Sequence, residues 1–486
     1  MQQVYHSHDI QAWEQRWFAQ GNSSYGLMQQ VAWSIAQQLQ TLFTDNSLKN
    51  VAVCCGQGNN AGDGYLIAKY LQNLGFNVQI YASPLGDSAD LHRAYTEAKQ
   101  ANIKILQGFD FIKSYDVYVD ALFGIGLNRD LNLEWQGIIQ HINAQDGLKI
   151  AIDLPSGLNA NTGQPLQCAI VADYTFTVLG LKAGLFTGKG KAFAGVVHTV
   201  ALLPPDSKLK ALAQLSPLQI TLPQRQAFGH KGSYGHVLLV GGHADMGGAV
   251  IMAAEAAFYA GAGKVTVVCD AKHHSAILAR SPNIMLRDIN ALNTADIQLL
   301  VGQVDAVCFG MGLGRDVWAA EKFQHWFDFI NQDDVTLILD ADGLWFLAQQ
   351  PHTLSQNSYL TPHPGEAATL LHSSVIEVEA DRIAAIYALQ NTYGAEWVLK
   401  GAGSLILQQE QLWICQAGNA GMGTGGMGDV LAGMIASLKA QFGAQIQLHQ
   451  IIMLHAKAGD YLAASGQRGL QAQHMNQAIY HIVNGE

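Results

Sequence analysis

Charge is scarce in this chain, paired cysteines are missing, and no unbroken apolar run is long enough to cross a membrane. Asp, Glu, Lys and Arg make up 13% of the residues against 49% hydrophobic, which suits a globular protein with large buried sheets. The formal net charge of −11 provides no general basic face and so excludes a nucleic-acid surface. It leaves room for small anions, which need only a few local cations or N–H groups. The six cysteines (54, 55, 168, 269, 308 and 415) form no C-x-x-C pair and read as reduced core thiols of a cytoplasmic protein. The opening "MQQVYHSHDIQAWEQRW" has neither a basic nor an apolar leader region, so no signal peptide is expected. The apolar stretch around 247–269 is interrupted by Glu255, glycines and Lys264, so no membrane span is expected. No internal repeat stands out.

What is present is an α/β pattern, twice. A chain of 486 residues exceeds one ordinary core, and the clearest boundary is 202–232, which holds four of the eleven prolines. Before it, strands are expected at 51–55, 77–82, 117–123, 149–154 and 174–179. After it they are expected at 236–242, 264–269, 306–312, 336–342, 397–401 and 404–408. Helix-length segments separate them, as in parallel α/β domains, where ligands gather at the carboxyl ends of the strands.

Polar and glycine-rich signals fall at those ends. "GQGNNAGDG" (56–64) follows the first of these strands and precedes a helix expected to begin near Tyr65. Its spacing is not the dinucleotide fingerprint, and it reads either as a ligand loop or as a tight Asn/Gly turn. Asp120, Asp153 and Ser156 end further strands, and oxygens converging from three loops suit a hard cation better than zinc. "GIGLNR" adds bare backbone and Arg129, fit for a phosphate. "GLFTGKGKAFAG" has the wrong spacing for a P-loop, and no Ser or Thr follows its lysine.

The densest glycine run is "NAGMGTGGMGDVLAG" (419–433), feeding a helix whose Leu431, Met434, Ile435 and Leu438 recur at helical spacing. Free N–H groups and the helix dipole favour an anion there, yet Asp429 sits at the same place. Two readings fit: Asp429 caps the helix, or it is a catalytic base beside a bound phosphate.

The series "GNNAGDG", "DALFGIGLNR", "DLPSG" and "LKAGLFTGKG" resembles the epimerase domain of the NAD(P)H-hydrate repair enzymes. The later series "HKGSYGHVLLVGG", "GMGLGR", "DADGLWFL", "LTPHPGEAATLL", "VLKGAGSLI" and "GMGD" resembles their dehydratase domain. The resemblance implies a Rossmann-like domain at 1–212 and a ribokinase-like domain at 215–486. The first would interconvert R and S hydrates of NADH and NADPH (NADHX and NADPHX). The second would dehydrate the S form at the expense of ADP, giving AMP and phosphate.

By motif position, Asn60, Asp120 and Ser156 should bind potassium. Asn59, Asn60, Ala61, Gly62, Asp63, Gly124, Ile125, Gly126, Leu127, Asn128, Arg129 and Asp153 should contact the epimerase substrate. In the dehydratase, Ala249, Gly312, His363 and Asp429 should contact the hydrate, and Lys400, Gly401, Ala402, Gly403, Ser404 and Gly428 the nucleotide. Asp429 and Asp153 are the expected catalytic residues, and Glu366 is expected to help place magnesium through water. Ala61 stands where the family usually has glycine, and a positive φ there would cost alanine about 1 kcal/mol. A homo-oligomer without nucleic-acid or membrane partners is expected. The competing reading is a small-molecule kinase with a non-catalytic binding domain.

Overall fold

The computed structural model describes residues 2–43, 48–111 and 113–485. The chain divides into two compact units, one covering 2–214 and the other running from 215 to the C-terminus.

The N-terminal unit is built on seven parallel strands. Across the sheet they run Lys104–Gln107, Asn77–Ala82, Asn50–Cys55, Val117–Ala121, Leu148–Ile152, Tyr174–Val178 and Val196–Val200. Chain order reverses between Asn50–Cys55 and Val117–Ala121, which places the switch-point crevice at the carboxyl ends of those two strands. The central strands are apolar on both faces because both are covered. Helices Ser24–Leu42, Asn59–Asn73 and Ala89–Gln100 bury Ile35, Leu66 and Leu91 on one face. Helix Leu133–Asn143 buries Ile139 and Ile142 on the other. Cys54 and Cys55 are fully buried neighbours that belong to these two opposite cores.

The helix that follows strand Asn50–Cys55 starts earlier than its sequence suggests. It begins at Asn59 rather than near Tyr65, with Ala61 and Gly62 N–H groups donating back to the Gly58 carbonyl. The glycines that read as turn signals serve close packing instead. A methyl group on Gly62 would lie 2.7 Å from the Met28 Cε, and one on Gly64 would lie 2.6 Å from the Ala121 Cβ. Ala61 is fully buried within this helix and is absent from the positive-φ residues, so the expected strain does not arise.

The proline-rich boundary contains one short strand, Ala213–Leu215. Its Ala213 and Gln214 pair antiparallel with Val4 and Gln3, and Val4 and Tyr5 pair in turn with Leu181 and Lys182. This small ladder fixes the backbone that carries Lys182.

In the C-terminal unit seven parallel strands run Met285–Asp288, Lys264–Cys269, His236–Val240, Ala306–Phe309, Leu337–Leu339, Ser358–Leu360 and Glu396–Leu399. Two antiparallel strands, Leu405–Gln408 and Gln411–Ile414, extend the sheet. Helices Gly247–Tyr259 and Met427–Phe442 pack face to face, so closely that a side chain on Gly433 would collide with the Ala253 carbonyl. No helix among the described residues is long and apolar enough to cross a membrane.

Candidate active sites

In the N-terminal unit the chemistry collects where Leu148–Ile152 ends. Asp153 adopts φ 68°, the left-handed region that a side chain other than glycine, Asn or Asp rarely takes. The turn is held by its own N–H, which donates to the Phe176 carbonyl at 2.8 Å. The carboxylate is held as tightly. Oδ2 accepts from the Ile125 N–H at 3.0 Å, and Oδ1 accepts from the Val178 N–H at 3.2 Å and from Lys182 Nζ at 2.5 Å. Lys182 is fully buried and also donates to Thr177 Oγ1 and the Val178 carbonyl. A buried ammonium and carboxylate satisfied on all sides form a rigid ion pair.

Two more acids face it. Burial pushes Asp63 well above the usual carboxylate range, with the Asp153 and Glu14 charges adding to the shift. Burial and Asp153 likewise raise Glu14, against the pull of Lys182. Asp63 Oδ1 is buried without a partner, as is Asn60 Nδ2. The site therefore combines two acids whose charged form burial disfavours with one fixed ion pair, which is an arrangement for moving protons. Neither Glu14 nor Lys182 carried a signal that sequence reasoning used, although Lys182 lies inside the quoted "LKAGLFTGKG".

The three residues expected to hold potassium divide. Asp120 and Ser156 meet directly: Ser156 N–H and Oγ donate to Asp120 at 2.7 and 2.6 Å, while the Leu122 N–H donates at 3.2 Å. Burial nevertheless pushes Asp120 up to about 6. Asn60 lies beside Gly124, where an added methyl group would sit 3.4 Å from the Asn60 Cβ and 3.2 Å from Asp153 Oδ2. Its orphaned buried amide, turned over, offers an oxygen, and the set of oxygens suits a large hard cation. Of the loop 124–129, Ile125 holds Asp153, whereas Gly126, Asn128 and Arg129 are exposed.

In the C-terminal unit a cavity of about 400 Å³ is lined by Asp340, His363, Glu366, Lys400, Gly428 and Asp429 among others. Asp429 occupies the third position of helix Met427–Phe442, so it is not the N-cap. That place belongs to Gly426, at φ 92°, where a side chain would run into Met252. The first turn thus presents bare N–H groups, and its one acid stands within the cavity.

Burial pushes Asp429 up to about 7, with Asp340 adding to the shift and Lys400 opposing it. Glu366 is likewise pushed up to about 7 by burial, despite Lys400. Lys400 Nζ lies 2.9 Å from Asp340 Oδ1 and 3.8 Å from Glu366 Oε2. Burial works against its charge, but Asp340 and Glu366 more than compensate and leave its pKa raised. Thr361 Oγ1 donates to the same Asp340 oxygen at 2.8 Å, which fixes the carboxylate from behind.

His363 is the cap of helix Pro364–Leu370: its Nδ1 accepts from the Gly365 and Glu366 N–H groups at 3.0 and 3.3 Å. Glu366 Oε2 returns the bond from the His363 N–H at 2.8 Å. Burial and Lys400 lower the His363 pKa, and its Nε2 lies 3.5 Å from Glu366 Oε1. Ala249 and Gly312 are neighbours, since a methyl group on Gly312 would lie 3.2 Å from the Ala249 Cβ. In the 400–404 turn, Ser404 Oγ donates to the Gly401 carbonyl at 2.9 Å. The buried Arg382 guanidinium donates to the Leu399 and Lys400 carbonyls at 3.1 Å each.

Among the described residues no group of three or more His, Cys, Asp or Glu is arranged to hold a metal. In the C-terminal cavity the Lys400 ammonium stands between the carboxylates of Asp340 and Glu366. A magnesium ion here would depend on phosphate oxygens and water for most of its ligands.

A parallel sheet, a left-handed glycine opening a helix, and an acid poised near neutrality in its first turn define an α/β enzyme of ribokinase-like architecture. A solved ribokinase-like superfamily protein from Enterococcus faecalis V583 matches this chain with a TM-score of 0.50 at 32% identity, covering 54% of this chain and 90% of that one. Residues 237–481 match the family described as NAD(P)H-hydrate dehydratase, and residues 24–184 the one described as YjeF-related protein N-terminus. Bifunctional NAD(P)H-hydrate repair enzyme Nnr of Coxiella burnetii is 36% identical over 99% of this chain and 99% of its own. The protein of the same name from Vibrio cholerae is 37% identical over 87% of this chain and 86% of its own. The chain belongs to the family of bifunctional NAD(P)H-hydrate repair enzymes.

Proposed function

We propose that the C-terminal unit, 215–486, dehydrates the S hydrate of NAD(P)H with ADP, and that the N-terminal unit, 1–212, interconverts the R and S hydrates. The observation that carries the first half is Asp429, raised to about 7 in the first turn of a helix whose N–H groups are free to hold phosphate. Asp429 takes the proton of the ring hydroxyl as its oxygen attacks the terminal phosphoryl group of ADP, and AMP leaves. Loss of phosphate, with a proton from the adjacent ring carbon, then restores the double bond of the dihydronicotinamide. Lys400 offsets charge on the transferring group, and Gly428 with residues 401–404 lies against the nucleotide. Ala249, Gly312 and His363 border the hydrate. Magnesium would come with the phosphates and be held by Glu366 through water.

In the N-terminal unit Asp153 and Lys182 form a fixed pair against the hydrated ring, while Asp63 and Glu14, both raised by burial, supply protons. Asn60, Asp120 and Ser156 would hold potassium, which adds local positive charge near the substrate. The six free thiols suit a reducing compartment, the cytoplasm.

The test is to incubate purified protein with mixed NADH hydrates and follow absorbance of the regenerated dihydronicotinamide. Full recovery with ADP and none without it is expected. A stable phosphorylated product would instead indicate a small-molecule kinase.

A further inference from the structure

The glycine-rich loop that leads to Asp429 leaves its own backbone unbonded. Gly423, Thr424 and Gly425 are exposed, and among the described residues no backbone N–H from Thr424 to Gly426 donates to another backbone group. Those free donors suit phosphate, but a run of glycine with nothing to hold it samples many conformations. Donors that stabilise a transferring phosphoryl group have to be fixed before it arrives. Something outside the loop must fix it.

Helix Leu448–Ala463 does so, through one broad face. Asp460 Oδ2 accepts from the Gly418 N–H at 2.9 Å, and its Oδ1 accepts from Asn419 Nδ2 at 2.8 Å. Asn419 passes the hold onward. Its Oδ1 accepts from the Gly421 N–H at 2.9 Å and caps the short helix Ala420–Met422. Met422 packs so closely on the same face that a side chain on Gly459 would collide with it. The buried His455 is hydrogen-bonded to the backbone of Met427, at the other end of the loop. The loop is gripped at both ends and free in the middle.

We propose that Asp460 is a positioning residue of the dehydratase, which through Asn419 sets the glycine loop for phosphoryl transfer; the proposal rests on the dehydratase reading of the same unit. Hydrogen-bond chemistry explains why this residue is an acid. Both of its partners are donors, so the position needs two acceptor oxygens, which a carboxylate offers and an amide does not. An ionised acceptor also makes each bond stronger than a neutral one would. Asp460 does not line the cavity that holds Asp429, so it acts through the loop and not on the substrate.

The relay can be broken and rebuilt with the same kinds of atoms. Asp460→Asn replaces one acceptor by a donor, which then faces either the Gly418 N–H or the Asn419 amide. Asn419→Asp alone sets two carboxylates against each other and breaks the same link. Combined, the two changes reverse the polarity of that bond and restore the relay, since position 460 donates to position 419 while the Gly418 and Gly421 N–H groups keep their acceptors.

The variants are compared in the full chain with ADP and the S hydrate. Each single change should lower kcat about 10²-fold, leave KM for the hydrate as it is, and bind ADP at full stoichiometry in calorimetric titration. The double variant should recover most of kcat. Asn419→Ala removes the relay without touching the helix and should match the loss in Asp460→Asn, which keeps the test open if Asp460→Asn fails to fold. Wild-type kcat in Asp460→Asn or Asn419→Ala overturns the proposal, as does a double variant no faster than the singles. A loss that follows ADP stoichiometry, with kcat per bound site unchanged, reduces Asp460 to a folding role and overturns it too. A wild type that regenerates no dihydronicotinamide with ADP overturns the underlying reading instead.

Discussion

Lys182 Nζ lies 2.5 Å from Asp153 Oδ1, and both side chains are buried. Two chain segments far apart in sequence meet there, one bent into a left-handed turn and the other fixed by a short parallel ladder. Neither charge has another counter-ion within salt-bridge distance among the described residues, so each depends on the other.

Removing one partner should therefore affect stability and activity together. Lys182→Met leaves the Asp153 carboxylate unpaired, which costs about 3–5 kcal/mol in comparable buried pairs. The N-terminal unit should melt earlier in calorimetry, epimerisation should fall below detection, and ADP-dependent dehydration of the S hydrate should persist. Unchanged epimerisation would remove Lys182 from the mechanism.

Asp429→Asn should lower ADP-dependent dehydration by about 10²–10⁴ while R/S interconversion survives. Because Asp429 acts ionised and is raised to about 7, kcat/KM of the wild type should climb as pH rises through about 7. A flat profile between pH 5 and 9 (roughly two units either side) would assign proton removal to another group.

Gly428 separates stability from function in the other direction. It is helical, and alanine is favoured over glycine in a helix by about 1 kcal/mol. The added methyl group would lie 3.1 Å from Lys400 Nζ and 3.6 Å from Asp340 Oδ2, inside the cavity. Gly428→Ala should keep or raise the melting temperature while nucleotide affinity, measured by calorimetric titration, falls at least tenfold.

Ala61→Gly tests the family departure. Since Ala61 is an ordinary buried helical residue, glycine there should cost about 0.5–1 kcal/mol and leave the epimerisation rate as it is. A gain in rate would mean that the alanine had been constraining the loop.

How much of this was legible in the sequence varies by residue. Asp429, Asp153 and Lys400 sit in motifs whose order and spacing are specific, and the structure brings His363, Lys400, Gly428 and Asp429 into one cavity. Lys182 escaped because its partner lies 29 residues away and nothing local marks a buried ammonium. Arg382 escaped although Glu379 lies three residues before it and pairs with it at 2.7 Å, because the carbonyls it also holds, of Leu399 and Lys400, belong to a distant strand end. The N-cap at Gly426 was hidden because Asp429, a better cap by composition, lies three residues on. Strands such as Lys104–Gln107 and Met285–Asp288 were missed because they are short, partly exposed sheet edges with few β-branched residues. The helix start at Asn59 was misread because close packing and tight turns both call for glycine.

The neighbouring thiols of Cys54 and Cys55 turn the N-terminal sheet into its own recorder. Each is inert while buried, because burial holds its pKa far above neutrality and reagents have no access. One reaches solvent only when the layer containing helix Leu133–Asn143 lifts, the other only when the layer of Ser24–Leu42 and Asn59–Asn73 does. Alkylation rates at two adjacent residues, read from a single peptide by mass spectrometry, thus time the opening of opposite sides of one sheet independently.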